Sequence, residues 1–173
     1  ALSVPIIENK LAVRGVASYE RKGGYAFSPS FPDDLNKDTY ENYRVKLLAK
    51  PSEEMTVKLG FHRNVTFDQL GRNLLTTNPP LFPPLPFSTK AGENEQTYNM
   101  YTGYLSYDFG PVLLESSTGY VDRSDEAFGP ILLGPAVFRL DVFSKSESFV
   151  QEVRAVSQHD GPFEWVIGGI YQD

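Results

Sequence analysis

The sequence has no cysteine, only two histidines, one tryptophan and two methionines in 173 residues. Without cysteine there is neither a disulfide framework nor a thiolate metal site, and the compartment stays open, an oxidising one included. His62 and His159 alone offer little for a nucleophilic or metal-binding constellation. Long apolar runs are missing as well. No stretch approaches the ~18 consecutive apolar residues of a membrane-spanning helix, and no cationic start followed by an apolar run marks a signal peptide. Lys and Arg form no cluster along the chain. With 16 basic against 22 acidic residues and a net charge of -6, the composition argues against a nucleic-acid-binding surface.

What the chain does have is aromatic residues and alternation. Ten Tyr and 12 Phe stand against one Trp, and 40% of residues are hydrophobic, enough for one domain's core. Tyrosine at strand ends suits a boundary between apolar and aqueous layers, and it also occurs in ordinary sheets. A mean hydropathy of -0.31 averages the two faces of alternating strands, so it does not exclude a membrane barrel.

Period-two alternation predicts about seven strands. After a turn at 5–10, residues 11–21 place Leu11, Val13, Ala17 and Tyr19 opposite Arg14, Ser18 and Glu20. Residues 40–50 set Tyr43, Val45, Leu47 and Ala49 against Asn42, Arg44, Lys46 and Leu48, and 55–62 set Met55, Val57, Leu59 and Phe61 against Lys58, Gly60 and His62. Strands follow at 97–107, at 112–121 and in a closing hairpin over 148–173, where Trp165, Ile167, Gly169 and Tyr171 alternate with Val166, Gly168, Ile170 and Gln172. Residues 138–143 form a further short strand in this reading.

Between the strands, polar or Pro- and Gly-rich segments predict long loops at 22–39, 64–96 and 122–147, the second holding five prolines. An irregular segment of that length is unusual inside a compact domain. Short turns and long loops alternate, which places every long loop at one end of the sheet, as in an outer-membrane barrel. Seven strands also leave the first and last running the same way. Simple closure is then unavailable, and the edges call for further strands.

Several phrases resemble one family. The run SFVQEVRAVSQHDGPFEWVIGGIYQD over 148–173 is similar to a hairpin in the β-barrel of TonB-dependent outer-membrane receptors, where Phe-x-Gln-Glu-x-Arg precedes a short turn and Trp-x-x-Gly-x-x-Tyr. PIIENKLAVRGVASYERKGGY from residue 5, the turn AKPSEEM and the strand end Ser116–Tyr120 resemble the same receptors. The resemblance implies an all-β antiparallel up-and-down meander that is part of a transmembrane barrel of roughly 22 strands. It implies a partial barrel segment over 1–173, with the plug domain and the other strands absent. It also implies TonB-energised uptake, across the bacterial outer membrane, of a large scarce ligand: a siderophore-bound iron, a cobalamin-like cofactor or an oligosaccharide. Expected partners are the remaining strands and plug, the TonB complex, outer-membrane lipid and the ligand, with no nucleic acid, cofactor, metal or bond chemistry. Arg14, Arg44, His62 and Arg154 would line the lumen and meet ligand.

The residues also allow plainer readings. Arg14, Arg44, Lys46, Lys58 and Arg154 sharing one face need only solvent. His159-Asp160-Gly161 reads as turn chemistry. Asp122, Asp125 and Glu126 lack the oxygen-ligand pattern of a calcium loop. Gly23-Gly24 lacks the Lys and hydroxyl residue of a phosphate loop. Glu152 and Arg154 are expected to pair as a structural contact. The alternative architecture is a soluble antiparallel β-sandwich or barrel binding carbohydrate or another ligand through aromatic platforms, with Leu59, Phe61, Trp165 and Ile167 sealed in its core.

Overall fold

A computed structural model describes residues 1–24, 26–28, 31–70, 92–133, 136–158 and 163–173. All regular structure among them is β. Ten strands run in chain order: β1 (Leu2–Ile7), β2 (Leu11–Lys22), β3 (Ala26–Ser28), β4 (Phe31–Leu35), β5 (Asp38–Ala49), β6 (Met55–Leu70), β7 (Gly92–Asp108), β8 (Val112–Leu133), β9 (Ala136–Ser157) and β10 (Val166–Gln172). Eight form one antiparallel sheet in the order β1-β2-β5-β6-β7-β8-β9-β10, and β3 pairs with β4 as a separate hairpin.

The meander follows from the alternation, and its turns from local chemistry. Asn9, at φ 56°, reverses the chain between β1 and β2, where Lys10 N–H donates to Ile7 O at 3.0 Å; asparagine tolerates this left-handed conformation. Gly110, at φ 89°, turns β7 into β8, with its N–H donating to an Asp108 carboxylate oxygen at 2.7 Å.

The structure departs from the sequence reading in four places, one of them the expected loop at 22–39, which holds the β3–β4 hairpin and the first residues of β5. Leu2–Ile7 is a strand carrying a register shift at Pro5/Ile7, so the expected turn at 5–10 shrinks to its second half. With eight strands, β1 and β10 run in opposite directions, and the parity argument against closure falls away. The outer edges of β1 and β10 are unpaired among the described residues. Finally, the expected loop at 122–147 is mostly strand, because β8 and β9 remain paired from Val112↔Ser157 to Leu133↔Ala136. Likewise β6 and β7 pair out to Leu70↔Gly92, which confines the irregular part of the expected 64–96 loop to 71–91, outside the described residues. Polar residues in these extensions, such as Asp122, Arg123, Ser144 and Glu147, concealed the strands, since they break the apolar period that marks a strand in sequence.

The connections β1–β2, β5–β6, β7–β8 and β9–β10 lie at one end of the sheet; β2–β5, β6–β7 and β8–β9 lie at the other, where the first two are long but β8 and β9 are joined by residues 134–135 alone, so the expected alternation of short and long connections does not extend to β8–β9. The sheet has no second layer among the described residues. Among the described residues no large side chain is fully buried, and Leu59, Trp165 and Ile167 are 52%, 38% and 69% exposed. The total accessible surface is 12179 Å², against about 8,500 Å² for a compact monomer of this mass.

Candidate functional site

Directly paired residues of an antiparallel sheet point to the same face, so the register sorts the side chains. One face carries Val13, Leu47, Leu59 and Gly103 in a cross-strand row that ends in the hydrogen-bonded pair Thr118 and Gln151. The next row towards the long connections is Val45, Phe61, Tyr101, Tyr120 and Phe149. Ring centroids there lie 5.1 Å apart for Phe61–Tyr101 and 6.0 Å for Tyr101–Tyr120, and Phe149 meets Tyr171 at 6.3 Å. Towards the short turns, Tyr107 packs on Phe109 at 4.5 Å, near the end of the sheet that also carries Trp165.

Beyond the upper aromatic row the same face becomes polar. Arg63 donates to Asn99 Oδ1 at 3.0 Å, Tyr43 hydroxyl to Glu41 at 3.1 Å and Tyr120 hydroxyl to Glu147 at 3.0 Å. Both tyrosines thus aim their polar tips away from the apolar band. Lys145 lies 2.6 Å from Glu147; that ammonium first, and then the Tyr120 hydroxyl, hold the carboxyl below the usual glutamate value.

The opposite face is concave and polar. Its main concavity, about 610 Å³, reaches from Ser3 on β1 to Ser117 on β8 and is lined by Arg14, Lys46, Lys58, Thr102 and Tyr104. A second, of about 310 Å³, is lined by Arg44, Lys46, His62 and Met100. Gly60 keeps this surface open, since a Cβ there would lie 2.4 Å from Thr102 Oγ1.

The four residues picked from sequence all project from this face. Arg44 sits directly opposite His62, and Arg14 opposite Lys46. His62 Nε2 is 3.5 Å from Asn42 Oδ1, and its ring stands edge-on to Tyr98 at 6.3 Å. Arg154 is three strands away, bound to Glu115 at 2.6 Å. Its carboxylate partner is therefore Glu115 on β8 rather than Glu152 on its own strand. Glu115 also accepts from the Tyr104 hydroxyl, and the Lys58 ammonium lies 4.7 Å from the Tyr104 ring centroid. One chain of contacts, Lys58–Tyr104–Glu115–Arg154, so crosses four strands. Tyr104 and Glu115 were not candidates from sequence, because only the register shows that they meet.

Asp122 and Asp125 point to opposite faces by parity, and Arg123 binds Asp125 at 2.8 Å. Among the described residues no group of His, Asp or Glu converges as a metal site. His159 lies outside the described residues.

The fold and its two faces define a class, an all-β antiparallel meander with a polar concave and an apolar convex surface. Comparisons with protein-family models, curated proteins and solved structures gave no match.

Proposed function

We propose that this chain is a stretch of the barrel wall of a TonB-dependent outer-membrane receptor, with its convex face in lipid and its concave face towards a wet lumen. The observation that carries the reading is the convex band: mostly apolar side chains over seven to nine residues of each strand, interrupted on β8 and β9 by the hydrogen-bonded Ser116, Thr118 and Gln151, with aromatic residues at both ends. In its longer strands that depth approaches the about 9–11 residues of a strand tilted across a hydrocarbon layer, and aromatic girdles mark the two interfaces of such barrels. Supporting it are the edges of β1 and β10, unpaired among the described residues, which further strands would cover.

In this role the protein performs no bond chemistry. It contributes wall and ligand-facing surface for uptake of a large scarce solute, an iron chelate, a cobalamin-like cofactor or an oligosaccharide, energised through TonB and a plug domain. Arg14, Arg44, His62 and Arg154 face the passage, and the long β2–β5 and β6–β7 connections lie at its outer mouth. The single tryptophan supplies a test without mutation. In vesicles, Trp165 emission is quenched by lipids brominated near the headgroup more than by those brominated at the chain end; no quenching by either contradicts the proposal. Growth of a deletion strain on defined iron chelates or glycans then identifies the cargo.

A further inference from the structure

We infer that the concave sector formed by β2, β5 and β6 is an anion site, taking a water-soluble, multiply charged oxyanion that carries carboxylate or phosphate groups. The inference deepens the proposed uptake role and relies on it only for the concave face being the one that meets ligand. Between the short turns and the row Ser18–Asn42–Asn64, this sector presents Arg14, Arg44, Lys46 and Lys58 and no carboxylate. That segregation occurs in a chain with six more acids than bases.

Four cations elsewhere are matched: Lys22 with Glu20 at 3.7 Å, Arg123 with Asp125 at 2.8 Å, Lys145 with Glu147 at 2.6 Å and Arg154 with Glu115 at 2.6 Å. Arg14 and Lys46, in contrast, are direct cross-strand partners of like charge, an arrangement that destabilises a sheet unless something neutralises it. No carboxylate among the described residues does so.

The space before these cations is continuous. Arg14 and Lys46 line both the 610 Å³ concavity and a smaller one of about 150 Å³ that also takes in Arg44. Lys46, Gly60 and Thr102 connect the first to the 310 Å³ concavity at His62. Thr102 and Ser117 supply hydroxyl donors beside the charges, and arginine offers a planar fork suited to carboxylate or phosphate oxygens. The apolar band behind the sheet gives the site a low-dielectric wall, which focuses its positive potential.

The test is calorimetric titration of the purified protein, in the form its cell makes, with citrate and with inorganic pyrophosphate, using sucrose as the uncharged control. Saturable binding of both anions is expected, with none for sucrose. Arg14→Gln and Lys46→Gln should each weaken it about tenfold, while Lys145→Gln leaves it unchanged. Should one of the two variants fail to fold, the other still reports. Absence of saturable binding, or equal weakening by Lys145→Gln, overturns the site. So does carbodiimide coupling of Lys46 or Lys58 to a protein carboxylate that blocks titration, since the occupant is then an acidic polypeptide. Membrane partition of the same preparation separates the two proposals: partition without anion binding removes only the site, and anion binding by a water-soluble protein removes only the barrel wall.

Discussion

Tyr120 donates its hydroxyl to Glu147 across the β8–β9 pair at 3.0 Å, and Tyr43 on β5 makes the equivalent bond to Glu41 at 3.1 Å. In both cases the ring lies at the edge of the apolar band and the hydroxyl points towards the long connections. A phenol placed this way has an apolar body and a wet tip, which suits a boundary between hydrocarbon and water.

The convex face therefore has a sign test. Leu59, though 52% exposed, sits at mid-band. Leu59→Arg should cost about 2–4 kcal/mol of stability in lipid vesicles, as a charge near the bilayer midplane of a barrel does. On an ordinary wet surface the same change stays within about 0.5 kcal/mol. Urea unfolding followed by tryptophan emission distinguishes the two.

Gly168 faces the concave side opposite Arg154, and a Cβ there would lie 2.8 Å from Val153 O and 2.9 Å from Arg154 Cβ. Because a backbone atom blocks the way, Gly168→Ala must displace β10 from β9, at a cost of about 1–3 kcal/mol. Amide exchange should quicken over Val166–Gln172 and stay unchanged in β5 and β6. Gly169→Ala, with nothing within 4 Å, should leave exchange as it was.

The Arg154–Glu115 pair has side-chain exposures of 49% and 12%, so solvent screens it substantially. Arg154→Gln should therefore destabilise the fold only slightly. A double-mutant cycle with Tyr104→Phe should show coupling, because both residues hold the same carboxylate.

Glu147 gives a pH prediction. Lys145 and then Tyr120 depress its carboxyl, so the folded form binds its proton less readily than the unfolded chain does. The stabilisation is present above the ordinary glutamate value and is lost as pH falls through the lower folded value. Carbon-detected NMR titration should place Glu147 below the free-glutamate range, and Lys145→Gln should move it back up.

How far the sequence could be read depends on where a face is apolar. In the strands containing Val13, Leu47 and Leu59, alternation settled strand identity and facing, and the register puts Arg14, Arg44, His62 and Arg154 on one face of the sheet. Where both faces are polar, as from Asp122 to Asp125 and from Ser144 to Glu147, alternation carries no contrast and continuous strand was read as loop. Pro5 concealed β1, since proline demotes a strand in any sequence reading although an edge strand accepts it. Pairings such as Arg14 with Lys46 and Arg154 with Glu115 depend on register, which links residues 32 and 39 positions apart and leaves no local trace.

The most direct measurement of the central claim is a nitroxide scan of residues 55–61 in lipid vesicles. The chain has no cysteine, so each introduced thiol is the only label. Collision with oxygen should peak at Val57, Leu59 and Phe61, and collision with a water-soluble nickel chelate at Thr56, Lys58 and Gly60, giving two profiles of period two and opposite phase. Nickel access equal at both sets of positions would contradict a convex face in lipid.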